Sequence, residues 1–224
     1  MTLAIAHRGD PRGFPENTLA SLRSAEALGA DIIEIDVRLT AEGEIILLHD
    51  HTFERIWGVR KAPTEMTLGE IRDLRAAGER IPTLEEALAA VQVPVLVDFT
   101  EEEEGYALGQ ALRAYSAERV LVCSGNIAGL RHIRAASPHV PVALTWTHST
   151  FPPDALLEQL QPRYLNPYFQ LVQPDWITGA HARGIRVSAW TVDLIPQMRA
   201  LVELGADAIT TNEIAALRRT LDGT

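Results

Sequence analysis

Short apolar runs recur along the whole chain with helical patterns between them, and this alternation limits the possible folds more than any other feature. The runs are Leu3–Ala6, Asp31–Asp36, Ile45–His49, Val95–Phe99, Val120–Cys123, Val142–Trp146, Arg163–Asn166, Val187–Trp190 and Ala208–Thr211. Strands separated by helix-length segments read as βα units around a buried parallel sheet. These nine candidates exceed the eight places of a closed barrel. One of them therefore lies outside the barrel or is only an extended segment, and Arg163–Asn166 is the weakest.

The intervening helices carry their own start and stop signals. Thr67-Leu68-Gly69-Glu70 and Thr83-Leu84-Glu85-Glu86 match the capping box, in which a threonine and a glutamate three residues later satisfy each other's free backbone donors. Thr100–Glu103 reads the same way, with the acid run Glu101–Glu104 stabilising a helix start. After Asn17-Thr18, Leu19, Leu22, Ala25 and Leu28 repeat at helical spacing until Gly29, and Gly205 stops a later helix. A length of 224 residues without a compositional break or internal repeat is read as one domain, 1–224.

Two connections are unusual. Asp36 to Ile45 is too short for a crossover helix, so it is either an extended return outside the barrel or a hairpin through Ala41–Glu44, and both bring His49 near Glu34 and Asp36. Asp50–Pro82 is too long for an ordinary loop and includes Arg55, Trp57, Arg60, Lys61 and a short helical pattern from Leu68 to Ala76. It is either a lid or substrate wall, or a surface excursion with a small satellite core.

The formal charge of −10 argues against general nucleic-acid binding and against anionic membrane surfaces. A small anionic substrate stays possible where local cations or a metal override the global sign. Cys123 is the only cysteine, so there is no internal disulfide and no cysteine-based zinc site. The apolar start Met1–Ala6 is too short for a signal peptide or a span, and no later stretch reaches about 18 uncharged residues. The expectation is a soluble, cytoplasmic protein without stable membrane association; oligomeric state is not legible.

The candidate chemistry stands at the ends of strands. Glu34 and Asp36 are two apart on a strand and share a face, where unpaired carboxylates would repel one another. A hard divalent ion, Mg²⁺ or Ca²⁺, relieves that repulsion, as would salt bridges to Arg8 or Arg38. Asp98 supplies a third carboxylate on a nearby strand or caps the next turn. His7 and His49 each follow a strand and flank this site, which suits proton transfer near neutral pH. Arg8 can neutralise a phosphate. His51, His132, His139, His148 and His181 lack that context and read as surface or packing residues. Trp146, Phe151, Tyr168 and Trp176 read as core or loop packing.

The order His7-Arg8-Gly9, Pro15-Glu16-Asn17-Thr18, Gly29-Ala30-Asp31 through Thr40, a glycine turn and His49-Asp50 resembles the glycerophosphodiester phosphodiesterase family. The resemblance continues through Ile81–Glu86, Val187–Asp193 and Gly205–Asn212, and so covers nearly the whole chain. It implies a TIM-type (β/α)8 barrel related to phosphoinositide-specific phospholipases C, with a small insertion at about 50–80 after the strand ending at His49. It further implies His7 and His49 as acid and base, Glu34 and Asp36 as metal ligands, Arg8 as a phosphate partner and Trp190 as an aromatic wall beside the substrate.

The implied reaction is metal-dependent hydrolysis of a glycerophosphodiester to glycerol 3-phosphate and an alcohol. Alternatives are a lysophospholipid-type phosphodiesterase, which needs an apolar rim on the insertion, and a phosphodiester-binding barrel with impaired catalysis. Two departures from the family bear on the site. Asp98 stands where a longer glutamate is common, and Thr100 where the family has a lysine, so that either Arg55, Arg60 or Lys61 supplies the missing charge or phosphate is bound less tightly. Asn212, where Asp is frequent, is a milder change.

Overall fold

The computed structural model describes residues 1–223. Its strands are β1 Leu3–His7, β2 Ile32–Leu39, β3 Ile45–Leu47, β4 Val95–Asp98, β5 Val120–Ser124, β6 Val142–Trp146, β7 Tyr164–Pro167, β8 Arg186–Ala189 and β9 Ala208–Thr211. All except β3 pair in parallel, in the order β1-β2-β4-β5-β6-β7-β8-β9, and the ring closes where β9 pairs with β1. Helices follow the ring strands on the outside, giving a TIM-type barrel.

The strand outside the ring is β3. It runs antiparallel to the far end of β2, with Val37 opposite Leu47 and Leu39 opposite Ile45. The short connection is thus a hairpin, closed by the Thr40 amide donating to Glu44 O at 3.0 Å and turned at Gly43, whose φ is +82°. Arg163–Asn166, the weakest candidate, is realised as the ring strand β7, paired with both β6 and β8. Its inward positions, Tyr164 and Asn166, are polar-tipped, so it lacks the apolar look of its neighbours.

Alternation along each strand sorts the residues into layers. Lower inward positions fill the barrel floor with Ile5, Ile32, Leu96, Leu121, Ala143 and Ala208. Outward positions such as Ile33, Val97, Val122, Leu144 and Val187 join helix residues such as Leu22, Leu108, Leu130 and Met198 in the larger core between ring and helices. Above the floor the inward positions turn polar, and this upper layer contains the site.

The capping boxes at Thr67 and Thr83 form as expected. Glu70 and Glu86 accept from the Thr67 and Thr83 amides at 2.8 and 3.0 Å. The first of these helices covers only Leu68–Ile71, because Ala77 and Gly78 adopt positive φ and close a two-residue turn between Ala76 and Glu79. The third start lies one residue later than expected. The helix is Glu102–Ala111 with Glu101 at its cap, and Glu104 accepts from both the Thr100 and Glu101 amides at 3.0 Å. The Thr100 hydroxyl is taken by Arg38.

The insertion after His49 has its own small core of Ile46, Leu48, Phe53, Trp57, Met66, Ile71 and Ile81. It is therefore a packed excursion, and one of its side chains also reaches the barrel mouth.

Candidate functional site

The β1, β2 and β4 side of the mouth is built from charged groups. Glu34 and Asp36 both face inward from β2, and β4 places Asp98 in register with Asp36. Carboxylate oxygens of the three lie within 4.8 Å of one another. Burial and the charges of Asp36 and Asp98 push the Glu34 carboxyl well above the usual range. Burial and Asp36 push Asp98 up to about 8. Such a cluster cannot be fully ionised without a compensating cation, and an all-oxygen donor set fits a hard divalent ion.

Only part of that charge is met by arginine. Arg8 Nε lies 3.0 Å from Asp36 Oδ2, whereas Glu34 receives the Arg8 backbone amide at 2.9 Å. Arg38 pairs instead with Glu104 at 3.1 Å. Asn17 fixes Asp36 twice, donating from Nδ2 to Oδ2 at 2.9 Å and accepting the Asp36 amide on Oδ1 at 3.1 Å. The loop that delivers Arg8 and Asn17 turns abruptly after β1. Both residues have left-handed backbone, with φ of +58° and +57°. Gly9 follows at φ +84°, where a Cβ would stand 2.3 Å from Ser21 Oγ, so only glycine fits.

Each histidine has Nδ1 engaged. The Asn212 Nδ2 group donates to Asp193 Oδ2 at 2.8 Å, which turns Asn212 Oδ1 toward His7 Nδ1, also at 2.8 Å. That arrangement places the proton on Nδ1 and leaves Nε2 bare, 3.9 Å from Glu34. Burial, followed by the charge of Arg8, lowers the His7 pKa. His49 Nδ1 meets Asp50 Oδ1 at 2.7 Å, and its backbone carbonyl accepts from Arg38 Nη2 at 2.6 Å.

A rim network ties the insertion to the first loop. Arg55 donates to Asp50 at 2.6 and 3.0 Å and to Glu16 at 2.6 and 3.2 Å, while Glu16 also accepts from Arg8 at 3.0 Å. Burial alone would raise Glu16 and Asp50. The hydrogen bonds and charges of Arg55, with Arg8 at Glu16 and His49 at Asp50, hold both carboxyls below their ordinary values. Arg55 is thereby committed to two carboxylates, and Arg60, 84 % exposed, pairs with Glu54. Lys61 lies within electrostatic reach of Glu70.

Two adjoining cavities open at this mouth. The outer one, about 570 Å³, is lined by His7, Arg8, Asp36, His49, Asp98, Thr100 and Trp190 among others. The inner one, about 60 Å³, is lined by His7, Glu34, Asp98, Thr145, Asn166 and Trp190 among others. All seven residues singled out in the sequence thus converge on connected space. Trp190 is anchored by donating Nε1 to Asn166 O at 2.9 Å, and Tyr168, expected only to pack, stands against it at 5.8 Å. Asn17, Glu16, Asp50, Asp193 and Asn166 were not assigned roles from sequence, and Arg55, expected as a possible stand-in for the family lysine, is instead paired with Asp50 and Glu16.

Comparison with known proteins agrees with this geometry. The model of the glycerophosphoryl diester phosphodiesterase family matches residues 7–216. A glycerophosphodiester phosphodiesterase of Caldanaerobacter subterraneus subsp. tengcongensis is 32% identical over 229 residues, covering 95% of this chain and 94% of the relative. The structure of an Oleispira antarctica phosphodiesterase in complex with the product sn-glycerol-3-phosphate superposes with a TM-score of 0.92 at 25% identity, covering 99% and 97% of the two chains. A Thermotoga maritima glycerophosphodiester phosphodiesterase shares the fold, with a TM-score of 0.86 at 20% identity over 98% of each chain.

Proposed function

The chain belongs to the glycerophosphoryl diester phosphodiesterase family, a family of phosphoric diester hydrolases, and on that premise we propose how its own residues perform the reaction. The substrate is a glycerophosphodiester, cleaved to glycerol 3-phosphate and an alcohol such as choline or ethanolamine. Glu34, Asp36 and Asp98 hold a divalent cation, Mg²⁺ or Ca²⁺, which when bound neutralises charge on the phosphoryl oxygens. Arg8 adds a second positive group beside Asp36.

The observation that carries this reading is the pair of histidines, each with Nδ1 held, lining one cavity with carboxylates of the acid cluster. His7 lines both cavities and His49 only the outer one. His7 is accordingly assigned as the base acting on the nucleophile and His49 as the acid that protonates the departing alkoxide. The nucleophile is the substrate's own 2-hydroxyl in a first step and water in a second, or water throughout. Thr100 contributes no charge. Its hydroxyl accepts from Arg38 Nη1 at 2.7 Å, so the family lysine is replaced here by a neutral link in the support of His49.

A lysophospholipid-type substrate is favoured by one feature. Leu194 and Ile195, 60% and 41% exposed, follow β8 on the side of the mouth. The insertion offers no matching rim, because Phe53, Trp57 and Met66 are buried in its own core. No helix of the described residues is long and apolar enough to cross a membrane. A single-domain, cytoplasmic enzyme is part of the same proposal, and one buried cysteine suits a reducing compartment.

Release of the headgroup alcohol from glycerophosphocholine, glycerophosphoethanolamine and a lysophosphatidylcholine tests the reading, the first two leaving glycerol 3-phosphate and the last its acylated form. Release from the two small diesters, well above release from the lysolipid, is expected. Binding of all three without turnover would select the binding-only barrel, and preference for the lysolipid would select the lipid reading.

A further inference from the structure

The two histidines of the site are held by unequal amounts of structure. His7 ends β1, a ring strand paired with β2 and β9. His49 lies two residues past β3, the strand outside the ring, whose partner in the sheet is β2 alone. Its imidazole leans on Asp50, which belongs to the same loop. Among the described residues, the one hydrogen bond joining His49 to a ring strand is donated by Arg38 Nη2 to its carbonyl, at 2.6 Å.

Arg38 stands on β2 two residues beyond Asp36, on the same face. Its side chain is 8% exposed. Nη1 donates to Thr100 Oγ1 at 2.7 Å and to the two oxygens of Glu104 at 3.1 and 3.2 Å. Glu104 is itself fixed, because it accepts the Thr100 and Glu101 amides. A planar guanidinium can hold a carboxylate and a carbonyl at once in set directions, which a single ammonium cannot, and a buried arginine needs a paired charge. Asp36 and Asp98 are register partners, so position 100 falls beside position 38. A lysine at 100 would set a second cation against Arg38, where threonine offers a hydroxyl. Arg38 is not among the residues lining either mouth cavity, so whatever it does for the reaction passes through another side chain.

We propose that Arg38, clamped by Glu104, is the positioning residue for His49 and ties the loop of the proton donor to the barrel wall. This inference rests on the reading of His49 as the acid, and adds how a group on an edge hairpin is kept in reach of the departing oxygen. A proton donor must come within about 2.6–3.2 Å of the atom it serves, and a misplacement of about 1 Å can cost about 10²-fold. Loss of the tether therefore slows cleavage that needs the proton and spares cleavage that does not.

Two diesters of glycerol 3-phosphate that differ only in the departing alcohol separate this role from a general loss of structure. Choline leaves as an alkoxide that must be protonated, whereas p-nitrophenol leaves as a stable phenolate. Arg38→Lys keeps a charge opposite Glu104. Its kcat on glycerophosphocholine is expected to fall about 10- to 100-fold with KM little changed, while kcat on the p-nitrophenyl ester changes little. The double variant Arg38→Met/Glu104→Gln removes both charges, keeps an oxygen for the two amides and should show the same split, which supplies the readout if Arg38→Lys fails to fold. Equal losses on the two substrates, or no loss on either, overturn the assignment. His49→Ala, measured alongside, keeps the two readings apart. A split there without one at Arg38 removes the tether and leaves His49 as the acid, whereas equal losses there remove the acid and the tether with it.

Discussion

The two walls of the barrel mouth are made by the same alternation of strand residues, but they solve different problems. On β1, β2 and β4 the inward positions carry His7, Glu34, Asp36 and Asp98, which repel or compete until a cation is supplied. On β6 to β9 they carry neutral donors and acceptors, two of whose oxygens lack partners. A wall of ionisable groups can move protons and stabilise phosphoryl charge; a neutral wall can only hold and discriminate. Damage to the first should therefore slow every diester of an alkyl alcohol alike, and damage to the second should change which diester is preferred.

The largest effect is expected at the histidines. His7→Ala and His49→Ala should each lower kcat by about 10² or more on glycerophosphocholine, with the fold checked by circular dichroism, while His49→Ala should cost a nitrophenyl diester much less because its phenolate leaves without a proton. Full activity in either variant would remove proton transfer from the charged wall.

A smaller loss should follow from removing what aims His7. Asn212→Leu deletes the acceptor at Nδ1 while keeping the imidazole, and about a 10-fold fall in kcat with little change in KM is expected. A rise in KM alone would make Asn212 a substrate contact instead. Arg55→Ala frees both Asp50 and Glu16, and a fall of a few fold in kcat would show that the insertion steadies His49. No change would reduce Arg55 to a surface ion pair.

The smallest effect concerns acid stability. Glu16 and Asp50 have folded pKa values below their unfolded ones, so their stabilisation is complete above about pH 5 and is lost as pH falls through the folded values. In Arg55→Ala that stabilisation should shrink by up to about 1 kcal/mol at neutral pH. The Tm gap between wild type and variant should then close as the pH is lowered toward 3. A gap that widens on acidification would contradict the ion-pair origin.

The charged wall was legible in the sequence because its residues sit in short motifs beside strands, where period two puts Glu34 and Asp36 on one face. The neutral wall was not, because Thr145, Asn166, Ser188 and Thr210 come from four strands and mean nothing until register aligns them. The same reason made β7 the weakest of the strand candidates, since its strand character comes from pairing on both sides rather than from its own composition. The rim network of Glu16, Asp50 and Arg55 joins a loop to an insertion 39 positions away, a contact that no local pattern announces. The acid run after β4 was legible as a helix start but displaced by one residue, since Arg38 takes the Thr100 hydroxyl from a strand distant in sequence.

The claim that the charged wall works only around a cation is tested most directly by glycerol 3-phosphate release from glycerophosphocholine by protein stripped with EDTA, before and after adding Mg²⁺ or Ca²⁺. The account predicts loss of turnover on stripping, recovery on adding one of these ions, and at least about 10-fold weaker recovery in Glu34→Ala. Full turnover in excess EDTA would contradict it.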